Sequence, residues 1–354
     1  MENVFGERLK QARAMAGLSL RGLSDAMGGA VSYNALSKYE KGEMLPSSKV
    51  LIELASVLKR NQDFFFMPID VRLEKIKFRK YGTKVSKTDG KRIEAEAEDY
   101  FGRYLTIEHI LDIEKPFKNP LGSGFVVDSP EKAEEAATLL RKSWGLGAAP
   151  LPSVAGLLEE KGIKVFEMPD APDGFDGFSA RSNGVAMIVV GGNSKNDLTR
   201  KRMTLLHELG HLLFTIPDSV SHKDEEMLMT RFAGACLVPS SVMFDRIGEK
   251  RSKVAVQEYK DLKALYGISI SALVVRADQL GITPHSYTKS FWIMRRKWGW
   301  DKTGEPGMWQ GAEFPLRFNG LVYRALAEGM ISISKSAALL DCSINDLRAE
   351  QDIA

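Results

Sequence analysis

Cysteine is scarce in this chain of 354 residues, and long apolar runs are absent. The two cysteines, Cys236 and Cys342, lie far apart, form no pair of metal ligands and suit a reducing compartment. No apolar run approaches the ~18 residues that a membrane span requires, and residues 1–8 lack the basic-then-apolar layout of a signal peptide. We therefore expect a cytoplasmic protein without a membrane partner, in which both cysteines are buried small residues.

An excess of charge of one sign is lacking as well, since the formal net charge is only +3. That balance is uneven along the chain. Residues 1–92 contain 18 Lys and Arg against 10 Asp and Glu, whereas the remainder contains 31 against 36. A basic N-terminal part on an acidic body indicates a polyanion partner at that end, although most charge clusters are simply solvated faces. The length predicts two to three globular domains.

The N-terminal part has the pattern of several short helices. Ser19 is placed to cap a helix over residues 20–27, and Ser32 or Tyr33 to begin another that runs to Gly42. Residues 28–31, GGAV, form the turn between them. Two helices joined by a short glycine-containing turn predict a helix-turn-helix, whose second helix enters the major groove of DNA.

The string of residues 35–47, ALSKYEKGEMLPS, resembles the recognition-helix end of the phage-repressor-like (XRE/Cro-type) family. The resemblance implies contacts with double-stranded operator DNA, while Leu36 and Tyr39 would lie in the core. The implied contact residues are Arg21, Tyr33, Asn34, Ser37 and Lys38. The turn is longer than in the short form of the motif, which leaves the tilt of the recognition helix open. A helical docking domain that touches no nucleic acid is the alternative.

A basic stretch over residues 70–92, including Phe78–Tyr81, predicts a linker, and residues 90–114 predict a long amphipathic helix. That helix could bridge domains, pair with its copy in a homodimer, or pack on the following domain. Helices are then expected over residues 130–144 and 152–161. Apolar runs at 163–168, 175–181 and 185–190 predict a strand and a hairpin on the edge of a small sheet.

The strongest chemical signal is the sequence His207-Glu208-Leu209-Gly210-His211. Because residues four apart lie on one face of a helix, the two imidazoles can hold one metal ion. Glu208 is then placed as the general base that acts on water. A solvated helix with two histidines is the alternative, but the apolar neighbours of the motif predict a buried helix.

Catalytic zinc normally has a third protein ligand, and two segments downstream could supply it. His222 lies in a polar stretch and is more simply a surface histidine in a loop. Residues 224–238 predict a helix ended by Pro239, and Glu226 lies on the helix face that carries small residues. Glu225 points about 100° away and is more simply a carboxylate favoured at a helix N-terminus.

Together with the histidine motif, residues 232–239, FAGACLVP, resemble the ImmA/IrrE metallopeptidases. The resemblance implies a gluzincin-like Zn²⁺ site with His207, His211 and Glu226 as ligands, although another divalent metal remains an alternative. Cys236, Met229 and Thr230 depart from the usual residues at packing positions. Members of the family that carry an N-terminal helix-turn-helix include peptidases that cleave or inactivate a repressor, and regulators or antitoxins.

The C-terminal part combines Trp292, Trp298 and Trp300 with basic residues. This combination can bind nucleic acid, but a helix that packs its tryptophans on the body is the more common structure. Residues 333–347 again resemble helix-turn-helix spacing. They contain few basic residues, so we expect an interaction or capping element there.

The sequence therefore predicts a multidomain protein with an all-α helix-turn-helix domain, an α+β minimal zincin-like domain and a helical C-terminal segment. The expected boundaries are 1–68, 69–118 for the linker and long helix, 119–284 and 285–354. The first functional hypothesis is a DNA-binding regulator with a zinc endopeptidase that cleaves a regulatory protein partner. The second is a repressor or antitoxin, of a toxin–antitoxin or phage-type system, whose zincin domain is a sensor or structural module. A third keeps the fold without the metal.

Overall fold

A computed structural model describes residues 3–69, 71–73, 85–192 and 197–351 of the chain. Much of the predicted basic linker, including Phe78–Tyr81, lies outside these ranges. Within them, no single helix is long and apolar enough to cross a membrane; one bent pair, His222–Leu237 with Ser240–Ile247, reaches that length and composition only when its helices are taken together. Cys236 is buried as expected, whereas Cys342 is only half-buried.

Four α-helices and a short 3₁₀ helix form the N-terminal domain: α1 (Val4–Met15), α2 (Leu20–Ala26), α3 (Tyr33–Lys41), α4 (Ser48–Val57) and the 3₁₀ helix Gln62–Phe66. Serine side chains cap α2, α3 and α4, and the sequence predicts the first two of these caps. Ser19 Oγ accepts from the Gly22 N–H at 2.9 Å, and Ser32 Oγ accepts from the Ala35 N–H at 3.2 Å. Leucines on successive helices close a small separate core around Leu36 and Phe65.

The long turn between α2 and α3 is built on two glycines. Gly28 and Gly29 have φ angles of +63° and +74°, which other residues rarely adopt. Ser24 Oγ donates to the Val31 carbonyl at 2.6 Å, and the Val31 side chain is buried in the domain core. The longer turn, residues 28–31, is therefore held in place by this hydrogen bond and by the burial of Val31, and it fixes the position at which α3 begins.

The remaining chain contributes a long helix, two further helices and three strands before the histidine motif: α5 (Lys87–Ile110), α6 (Pro130–Ser143), α7 (Val154–Glu160), β1 (Lys164–Met168), β2 (Gly177–Ser182) and β3 (Val185–Gly191). The later part is helical: α8 (Leu198–Leu213), α9 (His222–Leu237), α10 (Ser240–Ile247), α11 (Val256–Tyr266), α12 (Ile270–Gln279), α13 (His285–Lys297), α14 (Trp300–Thr303), α15 (Arg317–Ala327), α16 (Ile333–Leu340) and α17 (Ile344–Gln351). This order confirms the predicted fold class.

The three strands form one sheet in the order β1-β3-β2. β1 pairs with β3 in parallel, and β2 pairs with β3 in an antiparallel hairpin in which Ser182 lies opposite Val185. The Asn183–Gly184 turn suits the twist of such a hairpin. The predicted hairpin is thus confirmed, with β2 at the edge and β3 in the middle of the sheet.

Alternate residues of the sheet pack into two different cores. Along β3, Ile188 and Val190 face the core that contains the leucines of α8. Met187 and Val189 face the opposite core, which contains Phe101 of α5. The body therefore has three layers, with α5 on one face of the sheet and α8 on the other, as expected when a strand buries both of its faces.

The long helix α5 both packs on the sheet and bridges to its neighbours, so two of the predicted roles are combined. On the N-terminal side, Arg8 of α1 forms a buried ion pair with Asp99 at 3.0 Å. Toward the sheet, Glu108 pairs with Lys164 of β1 at 2.6 Å. The N-terminal domain is therefore attached to the same helix that supports the sheet.

An irregular segment, residues 304–316, crosses the body after α14, and we call it the strap. Glu305 accepts hydrogen bonds from the Ile270 and Ser271 N–H groups, and thereby caps the N-terminus of α12. Glu313 accepts from the Val154 and Ala155 N–H groups at the start of α7, at 3.0 and 2.6 Å. Buried carboxylates at helix N-termini are favourable, so the strap holds two helices of the body in place.

The C-terminal helices pack on α5, and α13 is less buried than expected. Phe318 and Leu339 of α15 and α16 share a core with Tyr104 of α5. Trp300 packs against the main core, but Trp292 and Trp298 are 38% and 41% exposed. The expectation that the tryptophans pack on the body is therefore correct only in part.

Candidate metal centre and DNA-binding surface

Helix α8 is fixed by its apolar residues, and this determines where the histidine motif lies. The leucines of the motif region are buried, as the pattern predicts: Leu205, Leu206, Leu209, Leu212 and Leu213. His207 and His211 lie at the margin of that buried face, with ring centroids 5.2 Å apart. The two imidazoles are therefore adjacent and only slightly exposed.

Gly210 allows α9 to lie close against α8. A Cβ atom at this position would lie 2.8 Å from the Met229 sulfur and 3.2–3.3 Å from the Phe214 and Phe232 rings. A larger residue would displace these buried side chains, two of which belong to α9. Sequence reasoning did not assign Gly210 a role, although its place inside the motif was the available signal.

The close packing brings Glu226 of α9 to the histidines. Glu226 Oε2 lies 3.2 Å from His207 Nε2. The potential ligand atoms of His207, His211 and Glu226 all lie within 4.8 Å of one another, and no other such group occurs in the described ranges. Two imidazole nitrogens and one carboxylate oxygen form a donor set that suits zinc with one coordination position left open. The residues present therefore fit the metal.

Glu208 is buried next to this group, with 3% of its surface exposed. Burial raises the pKa of its carboxyl group to about 7, although His207 and hydrogen bonds from the Ser179 hydroxyl and backbone N–H act in the opposite direction. A carboxyl group of this kind can both accept and return a proton near neutral pH. This is the property that a general base needs.

Ser179 reaches Glu208 because β2 runs alongside α8. Gly177 packs against Thr204, Ser179 hydrogen-bonds Glu208, and Arg181 donates to the Leu212 carbonyl at 2.8 Å. Two residues of a strand span about 6.7 Å and four residues of a helix span about 6 Å. Every second residue of β2 can therefore contact every fourth residue of α8. Sequence reasoning missed Ser179, although strand alternation places it opposite to the buried Phe178.

The first turn of α9 differs from expectation. The prediction of a loop at His222 was wrong, since His222 is the first residue of α9; its side chain is 57% exposed, as expected for a surface histidine. Glu225 was expected to point away from the site, but its Oε1 lies 3.8 Å from His211 Nδ1. Neighbouring helix positions do differ by 100°, yet His211 lies near both carboxylates, since its potential ligand atom is also within 4.8 Å of that of Glu226.

The predicted DNA contacts lie on one surface of the N-terminal domain. Tyr33, Asn34 and Lys38 are exposed on α3, Ser37 is half-buried between them, and Arg21 is exposed on α2. The Arg21 guanidinium lies 5.5 Å from the centre of the Tyr33 ring, which connects the two helices on the outside.

Helix α3 is held firmly beneath that surface. Leu36 and Tyr39 are buried on its inner side, as the resemblance implied. Glu40 receives two hydrogen bonds from Arg13 of α1, at 2.6 and 3.0 Å. A bidentate pair of this kind fixes the orientation of a helix as well as its position.

Comparison with known families gave two matches. A helix-turn-helix family model matches residues 9–62. A peptidase-family model described as an IrrE N-terminal-like domain matches residues 158–278, which include α8, α9 and the sheet. No curated protein and no solved structure gave a significant match.

Proposed function

We propose that this chain, which matches a helix-turn-helix family model over residues 9–62 and an IrrE-like peptidase-family model over residues 158–278, is a DNA-binding regulator whose peptidase domain cleaves a regulatory protein partner. The observation that carries the proteolytic part is the buried carboxyl of Glu208 beside a three-ligand group. A purely structural metal site has no use for a general base. Burying a carboxylate there has a cost in stability that catalysis explains.

His207, His211 and Glu226 would hold the metal, with zinc as the ion that the family implies. Bound zinc polarises the carbonyl of a scissile peptide bond and lowers the pKa of water. The three side chains come from two helices that pack closely at Gly210. This packing fixes the spacing of the three side chains.

Glu208 takes the proton of the attacking water and delivers it to the leaving amine. Its carboxyl is oriented by the Ser179 hydroxyl and N–H. The edge strand β2 lies beside the same carboxyl, so an extended substrate segment can align along its outer side through backbone hydrogen bonds. The reaction that this arrangement supports best is hydrolysis of a peptide bond in an extended protein segment.

A direct test compares cells that express the wild-type chain with cells that express Glu208→Gln, by sequencing new protein N-termini. A substrate is a protein whose cleaved fragment occurs only with the wild-type chain and reappears when the two purified proteins are mixed with zinc. Identical sets of fragments in both cultures, with zinc bound to the purified wild-type chain, would remove the proteolytic part of the proposal.

The second candidate function is a DNA-binding regulator in which the metal domain acts as a sensor. One observation favours it: the buried Arg8–Asp99 pair joins the DNA-binding domain to α5, which packs on the sheet. A change of metal occupancy could then alter DNA binding without any cleavage. In that case, regulation in cells would survive Glu208→Gln but not His207→Ala.

The DNA-binding part has its own test with the region upstream of the chain's own gene. Lys38→Ala should weaken binding and lower the slope of log affinity against log salt by about one, because one phosphate contact is lost. Lys253→Ala removes the same charge from an exposed position in the peptidase domain and serves as the control. Equal behaviour of the two variants, or binding that ignores salt, would contradict the proposed surface.

A further inference from the structure

We propose that Glu225 is a positioning residue for the metal centre: its carboxylate faces His211 Nδ1, favours the form of the neutral ring that carries its proton on that nitrogen, and so leaves Nε2 for the metal. The inference rests on the proposed function, because it assumes that His211 is a ligand. It adds a role that neither the family match nor the ligand geometry assigns. The two successive carboxylates of α9 then divide the work, with Glu226 as a ligand and Glu225 as the support of a ligand.

The geometry of the first turn of α9 carries this assignment. Glu225 Oε1 lies 3.8 Å from His211 Nδ1, and the side chain is only 13% exposed. Its second oxygen lies 3.6 Å from His222 Nδ1. On the other side of the same ring, His211 Nε2 is fully shielded from solvent. The His211 ring therefore has Nδ1 facing Glu225 and Nε2 buried.

Imidazole chemistry explains why such a carboxylate matters. A neutral imidazole carries its proton on one nitrogen only, so a proton held on Nδ1 leaves a lone pair on Nε2 for a metal. A carboxylate on the outer nitrogen also makes the ring a stronger donor and restrains its rotation. The 3.8 Å separation is an ion-pair distance, longer than a hydrogen bond, so the carboxylate acts on the ring through its charge.

The first turn of α9 also offers a matched control. Asp224 precedes Glu225, belongs to the same helix turn and carries the same charge. Its carboxylate accepts a hydrogen bond from Ser221 Oγ at 2.6 Å and lies on the exposed surface. Removing either charge changes the field at the helix N-terminus equally, but only Glu225 faces a histidine. A difference between the two positions therefore reports the contacts of Glu225 with His211 and His222 and not a general electrostatic effect.

The experiment measures zinc affinity of the full chain by competition with a chelator, for wild type, Glu225→Ala, Glu225→Gln and Asp224→Asn. Loss of an outer-shell partner typically lowers metal affinity by about 10–100-fold. We expect a loss of this size in Glu225→Ala and a smaller one in Glu225→Gln, whose amide oxygen can still face Nδ1. Asp224→Asn should stay within about threefold of wild type, by the same comparison.

The visible spectrum of the cobalt-substituted protein gives a readout that stability alone does not change. Glu225→Ala should alter the cobalt absorption bands, and Asp224→Asn should not. Equal zinc affinities and equal cobalt spectra for these two variants, both folded by circular dichroism, would overturn the assignment. If wild type itself binds no zinc, the proposed function fails first and the assignment fails with it, so the two failures are distinguished by the wild-type measurement.

Discussion

The two halves of helix α8 both bury charged side chains, but the surroundings of those side chains differ. In the first half, Lys201 forms a 2.6 Å ion pair with Glu167, and Arg202 forms one of 2.6 Å with Glu313 of the strap. The Arg202 guanidinium also lies 4.0 Å from the centre of the Trp309 ring. Each of these buried cations has a full opposite charge and several hydrogen bonds, which is the arrangement that makes a buried ion pair tolerable.

In the second half of α8, Glu208 is buried as well, but its hydrogen bonds come from Ser179 rather than from an arginine or lysine. Burial therefore dominates and raises the pKa of its carboxyl to about 7. The contrast separates two uses of a buried charge. A charge matched by a salt-bridge partner holds the fold together, whereas a buried carboxyl hydrogen-bonded only by a serine has its pKa raised by burial and can exchange a proton near neutral pH.

The largest expected effect is that of replacing Glu208, and it is on catalysis. Glu208→Gln should lower kcat for the identified substrate by about 10²–10⁴-fold, because the general base is lost. The free energy of unfolding of the metal-free protein should stay the same or rise, since a buried carboxyl is replaced by a neutral amide of similar shape. Steady-state kinetics and urea denaturation test the two halves of the statement.

If Glu208→Gln is strongly destabilised but still cleaves the substrate, Glu208 stabilises the fold and is not the general base. Zinc stoichiometry must be measured for the same preparation, because the three ligands are unchanged in Glu208→Gln. A stoichiometry equal to that of wild type assigns the lost activity to the missing general base.

The next prediction concerns the first half of α8, where Arg202 pairs with Glu313. Arg202→Met should lower the free energy of unfolding by about 3–5 kcal/mol, because it leaves the Glu313 carboxylate buried without its charge partner. Arg200→Met is the matched control two residues earlier. The Arg200 side chain is 61% exposed and pairs with Asp176 at the surface, so its loss should cost less than about 1 kcal/mol.

A double variant, Arg202→Met with Glu313→Gln, should lose less stability than the two single variants together, because the pair acts as a unit. Additive losses measured by denaturation would show that Arg202 and Glu313 stabilise the fold independently. In that case, the strap is held by its other contacts, such as Glu305 on α12.

Local sequence patterns predicted the helices that carry the site. They could not predict contacts between elements that lie far apart in the sequence. The helical spacing of the histidine motif and the face of α9 that carries Glu226 are both readable within a few turns of helix. The Arg202–Glu313 pair joins residues 111 positions apart. Such a contact depends on how the strap returns to the body, which no local periodicity encodes.

The same distinction holds for the N-terminal domain. Serine caps, glycine ends and the apolar spacing predicted its helices and the core positions Leu36 and Tyr39. The attachment of this domain to α5 through Arg8 and Asp99 was not predicted, because a charged residue on a helix reads as solvated until its partner is known. The 3.8 Å contact of Glu225 was missed for a related reason: angles on one helix do not locate the side chains of another.

The smallest expected effect tests how Glu208 is held. Ser179→Ala removes the hydroxyl hydrogen bond to Glu208 and keeps the backbone N–H contact. Since a hydrogen bond to a charged group contributes about 1.5–3 kcal/mol, we expect kcat to fall by about 10–150-fold with KM and zinc affinity nearly unchanged. Ser182→Ala on the same strand is the control, because its hydroxyl donates to the Arg72 carbonyl and does not contact Glu208. If both serine variants lose the same activity, β2 contributes only general rigidity. The Ser179 hydroxyl then does not orient Glu208 for catalysis.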